Sequence, residues 1–446
     1  MPVANLERDS VASGRRAPRW LLLAAIAAIP LTIVAVAYVI GCWRAHAALA
    51  REMAAIEERG EPVWFSDWAR PADEDAVERG KVAARLLAGF DRVPTDYLDD
   101  VVHRPLNLEE AGRVEQIVDG YRRDLHALVN LLGQGECRFD YDYQSREPSA
   151  ILLTHVQNLR GVARLLKADF QVALTKGERS EAVARLDDMF ELDRALEHDP
   201  FVISQYVRQA IAGQALDALQ SSLARAVPEE EDLCSLCQDL NRMESDFQLA
   251  GCLRAERSLM LVSMESLGNP GMGRCLEDSG RGVSGTKAAV LNYWWGSWPY
   301  RPRRIYEEAI MLRTMSRWSE LVDEPGPSAT RRFDAVQATV PEEDFPIFFW
   351  CCTPFFNNSL RRAGLIHRQR LVSAQLALAV YGYRIRHGRL PESLAALKKY
   401  PVDKPVGLLS GKPLVYEQTA DGFAIYDELP EQGRFEVRFA RGGSKR

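Results

Sequence analysis

Twenty-four consecutive residues of this chain, Trp20–Trp43, contain no Asp, Glu, Lys, Arg or His. That absence excludes an ordinary water-facing helix, which needs a charged side. An excess of basic residues is also missing. Lys and Arg number 56 against 62 Asp and Glu, the net charge is −6 and the pI is near 5.8. A domain so balanced lacks the electrostatic footprint of a nucleic-acid binder. Cysteine is sparse, with eight in 446 residues, and the seven beyond Cys42 are an odd number spaced unlike a small disulfide scaffold. The seven histidines form neither H-E-x-x-H nor a close pair on a helix. G-x-S-x-G and phosphate-cradling glycine loops are lacking too. No catalytic residue, metal ligand or cofactor site is therefore assigned.

What is present begins with that uncharged run. As a helix it would span roughly 36 Å, against a hydrocarbon core of about 30 Å. Trp20 and Trp43 stand at its ends, where an interfacial belt places aromatic rings, and Pro30 predicts a kink rather than a break. Arg8, Arg15, Arg16 and Arg19 precede it, against Glu7 and Asp9, whereas Glu52, Glu57, Glu58 and Glu61 outnumber Arg44, Arg51 and Arg59 after it. The positive-inside rule predicts a cytoplasmic tail (1–19), a transmembrane anchor (20–43) and a body outside the cytoplasm. Rival readings are a cleaved signal at Ala45-His46-Ala47, a lipobox at Val39–Cys42 that would lipidate Cys42, and a twin-arginine signal at Arg15-Arg16.

Beyond the anchor the pattern is mainly α. Residues 44–148 form a juxtamembrane helical region: a helix over 44–68 closed by Gly60-Glu61-Pro62, an irregular acidic stretch to Asp99, a helix from Asn107 to Leu132, then a strand or aromatic loop with Phe139, Tyr141 and Tyr143. Residues 149–267 read as antiparallel helical hairpins, with helices at Ile151–Thr175, Ser180–Leu196, Pro200–Leu223 and Glu229–Leu267. Residues 268–345 are loop-rich, with one helix from Arg304 to Val322 and a linker-like stretch over Asp323–Glu343. Residues 346–446 predict a small α+β module: a helix from Leu360 to His387, a short helix opened by Pro391, a turn at Ser410–Pro413, and an antiparallel hairpin turning at Asp421-Gly422.

Three resemblances follow from these residues. Lys176-Gly177-Glu178, Glu181–Val183 and Glu191–Asp193 are similar to the turn and second helix of a tetratricopeptide unit, without the repeats an array requires. The terminal module resembles the C-terminal domain of type II secretion major pseudopilins. However, no glycine-terminated leader or early glutamate accompanies the apolar run, so pilin processing is not implied, and their calcium loop is not matched. The chain as a whole looks like uncharacterised membrane-anchored proteins of planctomycete-type bacteria, through Gly60–Pro62, Ser204–Ala210, Arg384–Leu397 and Ser410–Tyr416.

Candidate chemistry is thin. Cys234-x-x-Cys237 lies in an amphipathic helical pattern beside Leu233, Leu236 and Leu240, which predicts core cysteines. Cys351-Cys352 sits in a strongly apolar stretch. Trp294, Trp295, Trp298, Arg301, Arg303 and Arg304 form the best interaction patch, since tryptophan and arginine dominate hot spots; a core role for the tryptophans is the alternative. Arg361, Arg362, Arg368 and Arg370 read as a solvated helix face. The expectation is a membrane-anchored envelope protein that scaffolds or binds another protein without catalysis. Alternatives are an accessory part of a secretion or pilus-like system, and an exported hydrolase or thiol-redox enzyme.

Overall fold

The computed structural model describes residues 19–69, 73–145, 153–225, 227–247, 249–266, 297–339, 358–397, 406–428 and 434–439. Helix α1 runs unbroken from Arg19 to Glu58, through Pro30, about 60 Å at 1.5 Å per residue. It is a helix long and apolar enough to cross a membrane. Gly60, at φ +68°, ends it where an L side chain would be strained. A 3-10 turn, Phe65–Trp68, occupies the rest of the expected 44–68 helix.

The acidic stretch is not irregular. It folds as α2 (Glu74–Leu87) and α3 (Thr95–Val102), with Asp73 capping α2 through the amide of Asp75. Its signal is weak because α2 buries a stripe of mostly small residues, Ala76, Gly80, Ala83 and Leu87. Gly80 has a reason to be glycine: a Cβ there would fall 1.8 Å from the carbonyl oxygen of Arg138, in the chain leaving α4 (Leu108–Gly133). Asn107 and Glu110 form the reciprocal capping box that starts α4. The aromatic segment after α4 is irregular, and Phe139 and Tyr141 are buried.

Helices α5 (Thr154–Lys176), α6 (Arg179–Arg194) and α7 (Val202–Ala224) pack on one another as antiparallel neighbours. Lys176-Gly177-Glu178 makes the first turn, with Gly177 at φ +77°. Helix α5 is buried on every side from Leu165 to Leu174, which makes it the axis of the main core. The expected single helix over 229–267 is broken into α8 (Asp232–Asp246) and α9 (Leu249–Ser266). Phe247 adopts an extended conformation that buries its ring, and Asp323 accepts hydrogen bonds from the amides of Leu249 and Ala250 at the new start. Neither glycine nor proline marks the site.

Helix α10 (Arg301–Leu321) follows, then α11 (Pro327–Ala338), a helix where a linker was expected. Phe333 of α11 stacks on Trp318 of α10, ring centroids 5.7 Å apart, and both rings are almost fully buried. That packing orders the segment despite its prolines. Helix α12 (Asn358–His387) ends at Gly388, φ +71°. Strands β1 (Val415–Thr419), β2 (Gly422–Tyr426) and β3 (Phe435–Arg438) form a three-stranded antiparallel sheet in the order β1-β2-β3. The hairpin turns at Ala420-Asp421, one residue before the expected Asp421-Gly422, because Gly422 pairs with Thr419 as the first residue of β2.

Two apolar cores result. The larger gathers α2 to α8, the later half of α12 and the sheet. The smaller gathers the end of α1, α9, α10, α11 and Leu360 at the start of α12. Helix α12 is common to both. Buried charges are placed in pairs at the larger core: Arg208 Nε meets Asp193 Oδ2 at 2.9 Å, each about 2% exposed, and Arg208 Nη1 reaches the carbonyl of Asp246. This pair clamps α6, α7 and the end of α8.

Breaking that pair from one side strands a buried charge. Arg208→Met should lower stability by about 3–5 kcal/mol, and the double change Arg208→Met with Asp193→Leu should recover most of it. Chemical denaturation of the detergent-solubilised chain measures both. Asp187, on α6, is pushed up to about 7 by burial and by the nearby carboxylates of Asp239 and Asp188. Its folded pKa exceeds its unfolded value, so its contribution is fully present below the model-compound value of 3.8 and is lost as pH rises through about 7. Asp187→Asn should therefore raise the unfolding midpoint at pH 8 and leave it nearly unchanged at pH 3.

Candidate functional site at the junction of α1 and the body

Between Ile26 and Trp43 the large apolar side chains of α1 stand 45–71% exposed. Each such group leaves about 1.5–3 kcal/mol of burial unrealised in water. Further along, Ala45 and Ile56 are buried, and α1 packs against α10 more extensively than any other described pair of helices does. One helix thus has two environments, an uncovered apolar half and a half welded to the protein.

The weld is polar as well as apolar. Arg313 of α10 donates to Glu52 of α1 through Nη2 and Nε, at 2.6 and 2.9 Å. Glu61, just past the helix end, meets Arg257 of α9 at 2.8 Å, Arg59 at 3.3 Å and Arg254 at 3.4 Å. Arg257 has no exposed surface; its Nη groups also donate to Ser316 Oγ at 2.9 Å and to the carbonyl oxygen of Pro62 at 3.0 Å, while its Nε meets no acceptor among the described residues. Ser258 Oγ reaches the same carbonyl. Gly60-Glu61-Pro62 therefore does three jobs: it stops the helix, supplies the counter-charge of a buried arginine, and lends it a carbonyl. Burial alone would raise the Glu61 carboxyl, but the hydrogen bonds from Arg257 and Arg59 hold it below the ordinary range.

The other motif residues are also structural. In Ser204–Ala210, Gln205 Nε2 donates to the carbonyls of Leu196 and Asp199, and Arg208 forms the buried pair described above. In Ser410–Tyr416, the amides of Leu409 and Ser410 converge on Asp427 Oδ2, and Gly411 takes φ +69°. Pro391 lends its carbonyl to Gln418 Nε2 at 2.6 Å.

The expected interaction patch is partly placed. Trp294 and Trp295 lie outside the described residues, as do Cys351 and Cys352. Trp298 opens a 3-10 turn, Trp298–Tyr300, that leads into α10. Arg303 pairs with the buried Glu307 at 2.9 Å and Arg304 with the buried Glu308 at 3.7 Å, while Arg301 is exposed. A Cβ at Gly41 would sit 3.6 Å from Pro302 Cβ, so this arginine group stands level with the end of the apolar half of α1. Trp20 and Pro30 lie within α1, and Cys42 is half-buried in its unbroken course, its carbonyl bonded to His46 Nδ1.

Two other expectations are corrected. Cys234 is exposed and Cys237 half-buried on the outer side of α8, because Leu236, Leu240 and Met243 take the inner side. Cys237 still packs against the edge of the larger core, whereas Cys234 faces solvent. Arg361 is not solvated: it is 1% exposed and donates to the carbonyls of Leu321 and Glu324 and to Thr330 Oγ1. It binds the carboxyl end of α10, where carbonyls lack helical partners. Arg368 and Arg370 are half-buried on Glu244 and Asp217, 2.9 and 2.8 Å away.

One group missed by sequence reasoning has a catalytic look. Tyr141 OH donates to Asp199 Oδ2 at 2.5 Å and contacts His155 Nε2 at 2.9 Å, with Cys252 nearby. All four are buried. Burial pushes the Tyr141 hydroxyl and the Cys252 thiol up, away from ionisation, so the thiol is a poor nucleophile. The network pins the aromatic segment onto α5 and the α6–α7 turn. His367 is likewise held neutral, pushed down to about 3 by burial against Phe247, with the arginines around it adding to the effect.

No known protein family, curated protein or solved structure matches this chain.

Glu61→Ala should cost about 3 kcal/mol or more by stranding Arg257, and adding Arg257→Met should recover much of it. Because the Glu61 pKa is lower folded than unfolded, its stabilisation is complete above the model-compound value of 4.5 and fades as pH falls through the folded value. Denaturation of wild type and Glu61→Ala from pH 7 to pH 3 should show the gap between them closing in acid.

Proposed function

We propose that this chain is a single-pass, membrane-tethered protein of the bacterial envelope, whose rigid helical body serves as a scaffold for another envelope protein. The observation that carries this reading is the divided environment of α1, an uncovered apolar half continuous with a half fixed to the body. A flexible linker would let the body drift, whereas this helix holds it at a set height and orientation. Arg301, Arg303 and Arg304, beside Gly41, stand where lipid headgroups would meet the protein, a level that suits arginine. Arg19 precedes the apolar run and acidic residues follow it, so the short tail is placed in the cytoplasm and the body outside. The scaffold role draws on the closed Tyr141 network and on thiols that are exposed without a base or buried without ionisation. The resemblance to membrane-anchored planctomycete-type proteins and, in the terminal module, to pseudopilins agrees with an envelope location.

The test is biochemical. After alkaline carbonate extraction the full-length chain should stay with the membranes, and alkaline phosphatase fused at the C-terminus should be active. Release into the supernatant overturns the tether, and activity only of a cytosolic reporter at that end overturns the orientation.

A further inference from the structure

A cleft of about 580 Å³ opens where the α3–α4 loop, α5, the end of α7 and β3 meet, far in sequence from the anchor junction. That size suits a small molecule. Four cationic side chains line it, Arg104, Lys167, Arg225 and Arg438, against two carboxylates, Asp217 and Glu436. Their existing engagements differ. Arg104 is held bidentate by Glu110, at 2.7 and 3.0 Å, and Arg438 is bonded to Glu436 at 2.6 Å. Lys167 is 2% exposed, yet among the described residues its ammonium meets a single acceptor, Asp217 Oδ2 at 3.2 Å. That carboxylate is shared with Arg370, 2.8 Å from its other oxygen. Arg225 meets no acceptor for its guanidinium among the described residues. On α5, one turn beyond Lys167, Gln171 is 6% exposed and its Oε1 is buried without a partner.

A buried ammonium that shares one carboxylate, beside a part-exposed guanidinium with no described acceptor, leaves cationic donors free to take a counter-charge. We propose that this cleft binds a small molecule bearing a phosphate or carboxylate group, with Lys167 and Arg225 holding the anion. The planar guanidinium offers a two-pronged grip and the ammonium a point charge behind it. Gln171 accepts from a hydroxyl or amine on the body of the ligand. The α3–α4 loop and β3 both line the cleft, so ligand binding also fastens the terminal sheet to the helical body. This site is independent of the membrane reading.

The experiment is isothermal titration of the full-length chain in detergent with sodium phosphate and, separately, sodium citrate. Saturable one-site binding is expected for at least one of them, and which one binds identifies the preferred anion. Arg225→Gln should weaken it about tenfold or more, the loss expected for a charge-assisted bond. Lys167→Met should do the same. Arg92→Gln, whose side chain is 89% exposed outside the cleft, should bind as wild type does. Should Lys167→Met fail to fold, Arg225→Gln decides alone, since its guanidinium has no described partner to lose. Absence of binding by both anions, unchanged affinity in Arg225→Gln, or an equal loss in Arg92→Gln overturns the proposal.

Discussion

Arg257 is a positive charge with no exposed surface, and it can exist there only because Glu61 faces it at 2.8 Å. Taking either ion out of water costs several kcal/mol, and the pair is tolerable when geometry and further hydrogen bonds repay that cost. Here Ser316 and the Pro62 carbonyl add two further acceptors. The pair joins residues 196 positions apart, so it can form only when α1 has ended at Gly60 and α9 and α10 have already packed. The second apolar core, from Ile56 to Leu360, closes around the same point. Position of the anchor helix and integrity of that core are thus one problem with one solution.

The larger core obeys a similar rule on another scale. Because α5 is surrounded, its polar residues had to be given partners. Asp169 takes Arg185 at 2.6 Å, and Lys167 takes Asp217. Gln171 Oε1 meets no partner among the described residues, and Gln171 lines the cleft together with Lys167. The Tyr141–His155–Asp199 network differs, since its buried groups bond to one another.

Local signals in the sequence were faithful wherever structure is decided locally. Asn107 and Glu110 mark the start of α4, Gly60, Gly177 and Gly388 mark turns at positive φ, and Asp421-Gly422 marks the hairpin to within one residue. The uncharged run similarly announces α1 without help from tertiary contacts. Elements set by distant partners were not legible. Phe247 breaks a continuous helical pattern because its ring enters a core and Asp323, just past the end of α10, caps the next helix. Helix α11 is held by the Trp318–Phe333 stack, and α2 by the close approach of Arg138 to Gly80. Arg361 read as solvated because a charged residue on a helix usually is, and the carbonyls and hydroxyl that hold it lie 31 to 40 positions away. The cleft was invisible for the same reason: four segments between residues 102 and 438 build it.

The account stands or falls on α1 being one rigid helix, shielded by lipid over one half and by protein over the other. Hydrogen exchange of the full-length chain in lipid nanodiscs, read amide by amide along residues 26–58, tests this most directly. Protection should be slow and continuous through Trp43 and Arg44 into Glu58, with the Ile26–Trp43 half losing protection only when lipid is replaced by water. Rapid exchange of that half in the nanodisc, or a sharp break near Arg44, would contradict it.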